Sequence, residues 1–415
     1  MVTSLILFTL LIYFLTRFAL DAIQIRYVKS IKITDNELKL LKLNRQHLEK
    51  STLYNIDKLI ISMLNLIVQI FIIYLFLFAG GLEYLIETTS FLYSKKDFIF
   101  GFMNPELFII ITFFLIMTVL GIPMSLYKIF ILEEKYGFNK MTIGLFIRDF
   151  LISLMLSLLI ISILFLSFLF LYSNFEKNWW VLMWVVFLLF NIILLYVYPT
   201  LISPLFNKFK KIADQNIMKA IDDLTEKVDF NIKNVYVMDG SKRSKHSNAY
   251  FTGFHKNKRI VFFDTLLENL SVNEVTSVLA HEIGHYKEKH ILKSIVLNMI
   301  LSLFVFFIMY KLSTLDIFFH AVGVNTITPS TIILTYSLLF PVVGFFITPL
   351  LTSFSRKNEY EADSFAKKYT NKDDLISALI KLYKENLTIL KPSPLYANFY
   401  YTHPTVFERI KKLKS

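Results

Sequence analysis

The sequence predicts a mainly α membrane protein, about seven transmembrane helices joined to a small α/β domain, and three observations carry that reading. The 415 residues are 55% hydrophobic with 42 Phe, and the mean hydropathy is +0.54, far outside the soluble norm. Apolar runs of membrane-crossing length recur along the chain. Between them lie polar segments rich in Lys and Arg, and these hold the net charge of +12. Basic residues beside apolar spans are what cytoplasm-facing loops collect, so the charge points to a bilayer and not to nucleic acid. No cysteine occurs, which excludes disulfides, thiolate metal sites and a cysteine nucleophile.

Val2 to Leu20 is nearly all apolar and lacks the basic start and small-residue cleavage site of a removable signal peptide, so it reads as a retained first span. Further spans are expected at Leu59 to Leu82, Leu107 to Leu126, Phe150 to Leu171 and Trp179 to Tyr198, each long enough to cross about 30 Å of hydrocarbon. Gly121 and Pro123 predict a kink in the third. Two more lie at Ile295 to Met309 and Thr331 to Leu351. The sixth is short, and with no breaker before it one long helix could run from Val272 into the membrane. The expected division is therefore 1–200 for spans one to five, 201–294 for a polar segment, 295–352 for spans six and seven, and 353–415 for a polar tail.

The loops orient the spans. Arg26, Lys29, Lys32, Lys39, Lys42, Arg45 and Lys50 follow the first span, whereas the second is followed by little beyond Lys95 and Lys96. The first loop is thereby expected in the cytoplasm. Alternation then places Pro199 to Lys293 and the tail after Leu351 on the same side.

Within the first polar block, a helix is expected from Met218 to Val228, a strand from Asn234 to Met238 and a turn at Asp239-Gly240. Asn248 to Phe251 and Arg259 to Phe263 read as two strands around Gly253 to Lys258. Such an edge could pair with an extended peptide by strand addition. The alternative is a hairpin that only closes the sheet.

The chemistry centres on His281-Glu282-Ile283-Gly284-His285. Two imidazoles four residues apart face one side of a helix and can share a metal ion, with the intervening glutamate beside the metal's water. Zinc with an open position acidifies that water, and the carboxylate can take its proton during attack on a carbonyl. With only 8 His in the chain, the chance of this pattern arising randomly is on the order of 10⁻². A third ligand must be His, Asp or Glu, since no Cys exists. The best candidate segment runs from Ser355 to Ala366, where Glu359 and Asp363 share a helix face and Glu361 turns away. Glu359 could bind zinc while Asp363 hydrogen-bonds the far nitrogen of a ligand histidine. Glu361, pointing elsewhere, is expected to be dispensable. The alternative is a charged juxtamembrane helix with solvated carboxylates.

The chain resembles the type I CAAX prenyl proteases, a family of multi-span zinc metalloendopeptidases of the gluzincin kind. The resemblance rests on EEKYGFNK from Glu133, YPTLISPLFNKF from Tyr198, DGSKRSKHSNAYFTGF from Asp239 and KRIVFFDTLL from Lys258. To these are added the HEIGH core, SRKNEYEADSFA and the late His403-Pro404. It implies seven transmembrane helices enclosing a chamber, capped by a small α/β zinc metallopeptidase domain on the cytoplasmic side. It also implies removal of the last three residues after a prenylated cysteine of a peptide or protein substrate. One Zn2+ would be held by His281, His285 and Glu359, with Glu282 as the base and Asp363 behind a ligand. By the same match His403 and Arg409 would stand near the reacting carbonyl, and Asn248, Ala249 and Tyr250 would lie along bound peptide. Lys242, Arg243 and Lys245 could attract a substrate carboxylate; the alternative is a set of solvated loop charges. The membrane would be a bacterial plasma membrane or that of the endoplasmic reticulum, depending on the source.

Three other readings fit the sequence less well. Membrane quality-control proteases of this chemistry have fewer spans. A site-2 type protease would carry its HExxH inside an apolar span. A transporter or scaffold with structural zinc should offer a fourth protein ligand, and none has comparable context.

Overall fold

The computed structural model describes residues 1–94, 103–230, 235–252 and 259–415. Among these, seven helices are long and apolar enough to cross a membrane. The first five are α1 (Val2–Ser30), α2 (Arg45–Leu77), α3 (Pro105–Leu126), α4 (Ile143–Asn174) and α5 (Trp179–Val197). Pro123 stays inside α3, and beyond it the backbone widens to a π-helix over Tyr127–Glu133. Lys95, Lys96, Asn234 and the turn Gly253 to Lys258 lie outside the described residues. The second span ends earlier than expected, at Leu77. The left-handed Gly80 and the Gly81 backbone against Leu75 start a separate helix, Gly81–Ser94.

The polar segment that follows contains β1 (Phe209–Lys211), α6 (Gln215–Lys227), β2 (Val235–Met238), β3 (Ala249–Thr252), β4 (Arg259–Phe263) and α7 (Val272–Lys287). The sheet order is β1-β2-β4-β3, parallel between β2 and β4 and antiparallel elsewhere. The chain then returns to the membrane as α8 (His290–Ser313) and α9 (Pro329–Tyr369), and ends in α10 (Lys372–Glu385), α11 (Pro394–Tyr400) and α12 (Val406–Lys414).

Further expectations change. β1 was not foreseen, because three residues ending in two lysines carry no strand pattern. The helix carrying HExxH does not run on into the sixth span either. It stops at Lys287, Lys289 takes φ 57° and ψ 31°, and α8 begins afresh at His290. A left-handed non-glycine costs roughly 1–2 kcal/mol, so the surrounding packing holds the break in place. The seventh span and the start of the tail, by contrast, are one uninterrupted helix of 41 residues. The expected divisions at 200, 294 and 352 all fall inside helices.

One apolar core unites the polar parts. Ile33, Leu38 and Leu41 of the first loop pack with Leu224, Ile260, Val275, Leu279, Leu375, Ile410 and Leu413. Each such side chain, fully buried, contributes about 1.5–3 kcal/mol. The first loop, the sheet segment and the tail are thus on one side of the membrane, as the span count requires. Among the spans, α2, α3 and α9 bound a cavity of about 450 Å³ into which Asn65, Gln69 and Ser337 face.

Since the chain has no cysteine, single cysteines test this arrangement cleanly. In sealed vesicles, Lys39→Cys and Ser415→Cys should react with an impermeant maleimide from one side and Tyr84→Cys from the other. Lys39 and Ser415 reacting from opposite sides would refute seven crossings.

Candidate active site

The helix carrying HExxH, α7, is fixed at its start. Ser271 caps α7, its hydroxyl accepting from the Glu274 N–H while the Glu274 carboxylate accepts from the Ser271 N–H at 2.7 Å. A cap of this kind contributes about 1 kcal/mol. Glu274 also accepts from Lys381 and Ser377 of α10, both at 2.7 Å, tying the helix to the tail. Val275, Leu279, Ala280 and Ile283 bury the opposite faces of the helix. Midway along, Gly284 lets α9 approach closely. A Cβ there would lie 3.1 Å from the Ala362 Cα and 3.1 Å from the Phe365 Cβ.

That approach assembles His281, His285 and Glu359, whose candidate ligand atoms all lie within 4.8 Å of one another. The Nε2 atoms of His281 and His285 are 3.2 Å apart. Each faces an oxygen of Glu359, at 3.5 and 3.3 Å. Ligands about 2.0–2.1 Å from a tetrahedral zinc stand about 3.3–3.4 Å from each other, so the spacing suits such an ion. The donor set fits as well. Glu359 Oε2 is buried, with His281 Nε2 at 3.5 Å and His403 Nδ1 at 2.8 Å. Burial works against charge on His281, yet Asp363 and Glu359 outweigh it and lift the imidazole to about 9. A field that favours a proton so strongly also favours a metal cation.

Asp363 shares the Glu359 face, and its Oδ1 stands 2.9 Å from His281 Nδ1. Arg409 donates to the same carboxylate twice, from Nε at 2.8 Å and Nη2 at 2.6 Å, and is only 6% exposed. The resemblance implied that Arg409 would stand near the reacting carbonyl. Its guanidinium holds the carboxylate behind His281 and also lines the cavity beside Glu359, with Nη1 3.6 Å from Glu359 Oε2. His403, largely exposed, places Nδ1 2.8 Å from Glu359 Oε2. Burial raises the Glu282 pKa above the ordinary carboxylate range.

Strand β3 is one of the two edge strands of the sheet. Asn248 and Ala249 line one cavity of about 120 Å³ together with His281, Glu282, Glu359 and His403. An adjoining cavity of about 360 Å³ reaches Tyr400, Tyr401 and Thr402. Tyr250 turns the other way, toward Met238, because alternate side chains of a strand face opposite sides of its sheet. Two cations of the basic cluster upstream have partners within the protein. Arg243 holds Asp149 of α4 through two donors, at 2.8 and 3.1 Å, and Lys242 pairs with Asp239 at 2.8 Å.

Sequence reasoning missed two groups. His246 stacks on Phe138 with ring centres 4.0 Å apart. Its nitrogens meet Glu133 and Asn386, both at 3.1 Å, so the approach to β3 is anchored to the membrane helices and to α10. Glu361 does turn away from the metal position, but it is not simply solvated: its Oε2 lies 2.9 Å from His290 Nε2. His290 Nδ1 lies 3.0 Å from His285 Nδ1. A third histidine five residues after HExxH was the available signal for this contact.

The comparisons agree on a family. Residues 211–415 match the model for peptidase family M48. Residues 24–208 match the model described as the CAAX prenyl protease N-terminal, five membrane helices. CAAX prenyl protease 1 of Saccharomyces cerevisiae is 37% identical over 313 residues, covering 71% of this chain and 69% of the yeast protein. The CAAX prenyl protease 1 homolog of Mus musculus is 32% identical over 413 residues, covering 88% and 86%. The crystal structure of S. mikatae Ste24p superposes with a TM-score of 0.88 at 29% identity, covering 99% of this chain and 98% of that one.

Glu359→Ala should lose bound metal and activity together, and Asp363→Ala should weaken metal binding by roughly ten- to a hundredfold without abolishing it. Metal analysis of the purified variants checks both. Full occupancy in Glu359→Ala would remove it from the ligand set.

Proposed function

The chain belongs to peptidase family M48, in its CAAX prenyl protease branch, and from that premise we propose that this membrane metalloendopeptidase processes the C-termini of prenylated proteins or peptides. In this reading one zinc ion is held by His281, His285 and Glu359. The observation that carries it is the clustering of His281, His285 and Glu359 beside a cavity that Glu282 and the edge-strand residues Asn248 and Ala249 also line. Zinc, when bound, acidifies water and polarises a carbonyl.

The protein's own groups divide the remaining work. The backbone of Asn248 to Tyr250 pairs with an extended peptide and lays its scissile bond across the site. Glu282 takes the proton as water attacks and later returns it to the leaving amine. Burial raises its pKa, which brings its basicity closer to a neutral working pH. His403 donates a hydrogen bond to charge developing on the carbonyl oxygen. Asp363, held by Arg409, fixes the ring of His281. The wider adjoining cavity, with its three tyrosines Tyr383, Tyr400 and Tyr401, offers room for bulky apolar groups near the cleaved end. The basic first loop supports a cytoplasmic position for the metal domain.

Glu282→Gln should keep its zinc and lose cleavage, because coordination survives and proton transfer does not. Metal loss equal to that of His281→Ala would refute the assignment. Wild-type protein in detergent should cleave a prenylated peptide faster than the same peptide without the lipid, and a chelator should stop both. Equal rates on the two peptides would remove the prenyl preference. His403→Ala should cut kcat by roughly a hundredfold or more with zinc content unchanged. Unaltered turnover would return His403 to a structural role.

A further inference from the structure

We infer that Glu361, acting through His290, is a positioning residue for the metal ligand His285. The inference rests on the proposed ligand set and assigns a role to two residues outside it. His290 is 3% exposed, buried at the mouth of an apolar span where an imidazole is otherwise out of place. On an unbroken helix, positions five apart lie about 140° around the axis, and His290 could not meet His285. The left-handed Lys289 between α7 and α8 turns it back, to an Nδ1 to Nδ1 distance of 3.0 Å. The break therefore has a consequence at the metal centre.

The protons order themselves along this path. His285 Nε2 is the atom that faces His281 and Glu359, so it is the metal-binding nitrogen and Nδ1 carries hydrogen. Nδ1 donates to His290 Nδ1, which leaves the His290 hydrogen on Nε2. That nitrogen donates to Glu361 Oε2 at 2.9 Å. Each contact then has one donor and one acceptor. Lys293, 3.3 Å from the same oxygen, completes the carboxylate's surroundings from outside. His281 reaches a carboxylate directly in Asp363, whereas His285 reaches one across an inserted imidazole. Helix α9 thus supplies one ligand and both supporting carboxylates from a single stretch, Glu359 to Asp363. The effect of such support is to fix ring orientation and raise ligand basicity.

The test measures zinc affinity of the purified full-length protein by competition with a chelator, alongside melting of the metal-free form. Glu361→Ala and His290→Ala should each weaken zinc binding by roughly ten- to a hundredfold, with metal-free melting unchanged. Glu361→Gln, which keeps an acceptor without the charge, should fall between Glu361→Ala and wild type. The double variant Glu361→Ala/His290→Ala should be no weaker than His290→Ala alone, since both remove one path. Lys293→Ala should bind zinc as wild type does. Unchanged affinity in the single variants, additive losses in the double, or losses that track a lower metal-free melting temperature would overturn the relay. Retention of zinc by His285→Ala would instead overturn the ligand assignment beneath it.

Discussion

The distance between α7 and α9 at Gly284 is the constraint on which the rest of the centre depends. Helices pack at spacings set by the side chains between them, and here one partner contributes no side chain where the other presents Ala362 and the Cβ of Phe365. Two histidines on one helix and a short stretch of carboxylates on the other can then reach a common point. A larger residue at Gly284 would separate the donors by tenths of an ångström each, enough to spoil a set whose edges are 3.2 to 3.5 Å. The close contact also keeps Asp363 and Arg409 behind His281, so the geometry of the donors and their electrostatic surroundings follow from one glycine.

The parts legible in the sequence were those governed by short-range periodicity. Seven apolar stretches announced seven spans, and the spacing of His281 and His285 announced a shared face. Glu359 and Asp363 were separable from Glu361 by the same helical arithmetic. What stayed hidden depended on single backbone angles or on contacts between distant segments. Lys289 looks like any helical lysine, yet its left-handed φ ends α7 and brings His290 over His285. Arg409, 46 residues beyond Asp363, could be matched to a place but not to a partner, because only the fold brings the two together. Arg243 read as a free loop cation for the same reason, its partner Asp149 lying on the fourth span.

The long helix α9 alters what a domain means in this protein. Its apolar half lies among the spans and its polar half carries Glu359, Glu361 and Asp363, with no joint between them. At 1.5 Å per residue it is about 60 Å long, so the bilayer and the metal centre are held in one frame. The intramembrane cavity beside Ser337 and Pro341 and the cleft beside Glu359 therefore open along the same rod.

The core that ties Ile33 and Leu38 to Ile410 and Leu413 also sets a timetable for biosynthesis. Loop-closure entropy has to be overcome before contacts that far apart in sequence yield any stability. A nascent chain that has inserted its first spans holds half of a sheet-and-helix core with nothing to close it, and its two histidines have neither Glu359 nor the Asp363–Arg409 pair. Hydrolytic competence therefore arrives only after α12 has been made and has folded back onto the first loop. A protease whose site is closed by its last helix is inert until it is whole.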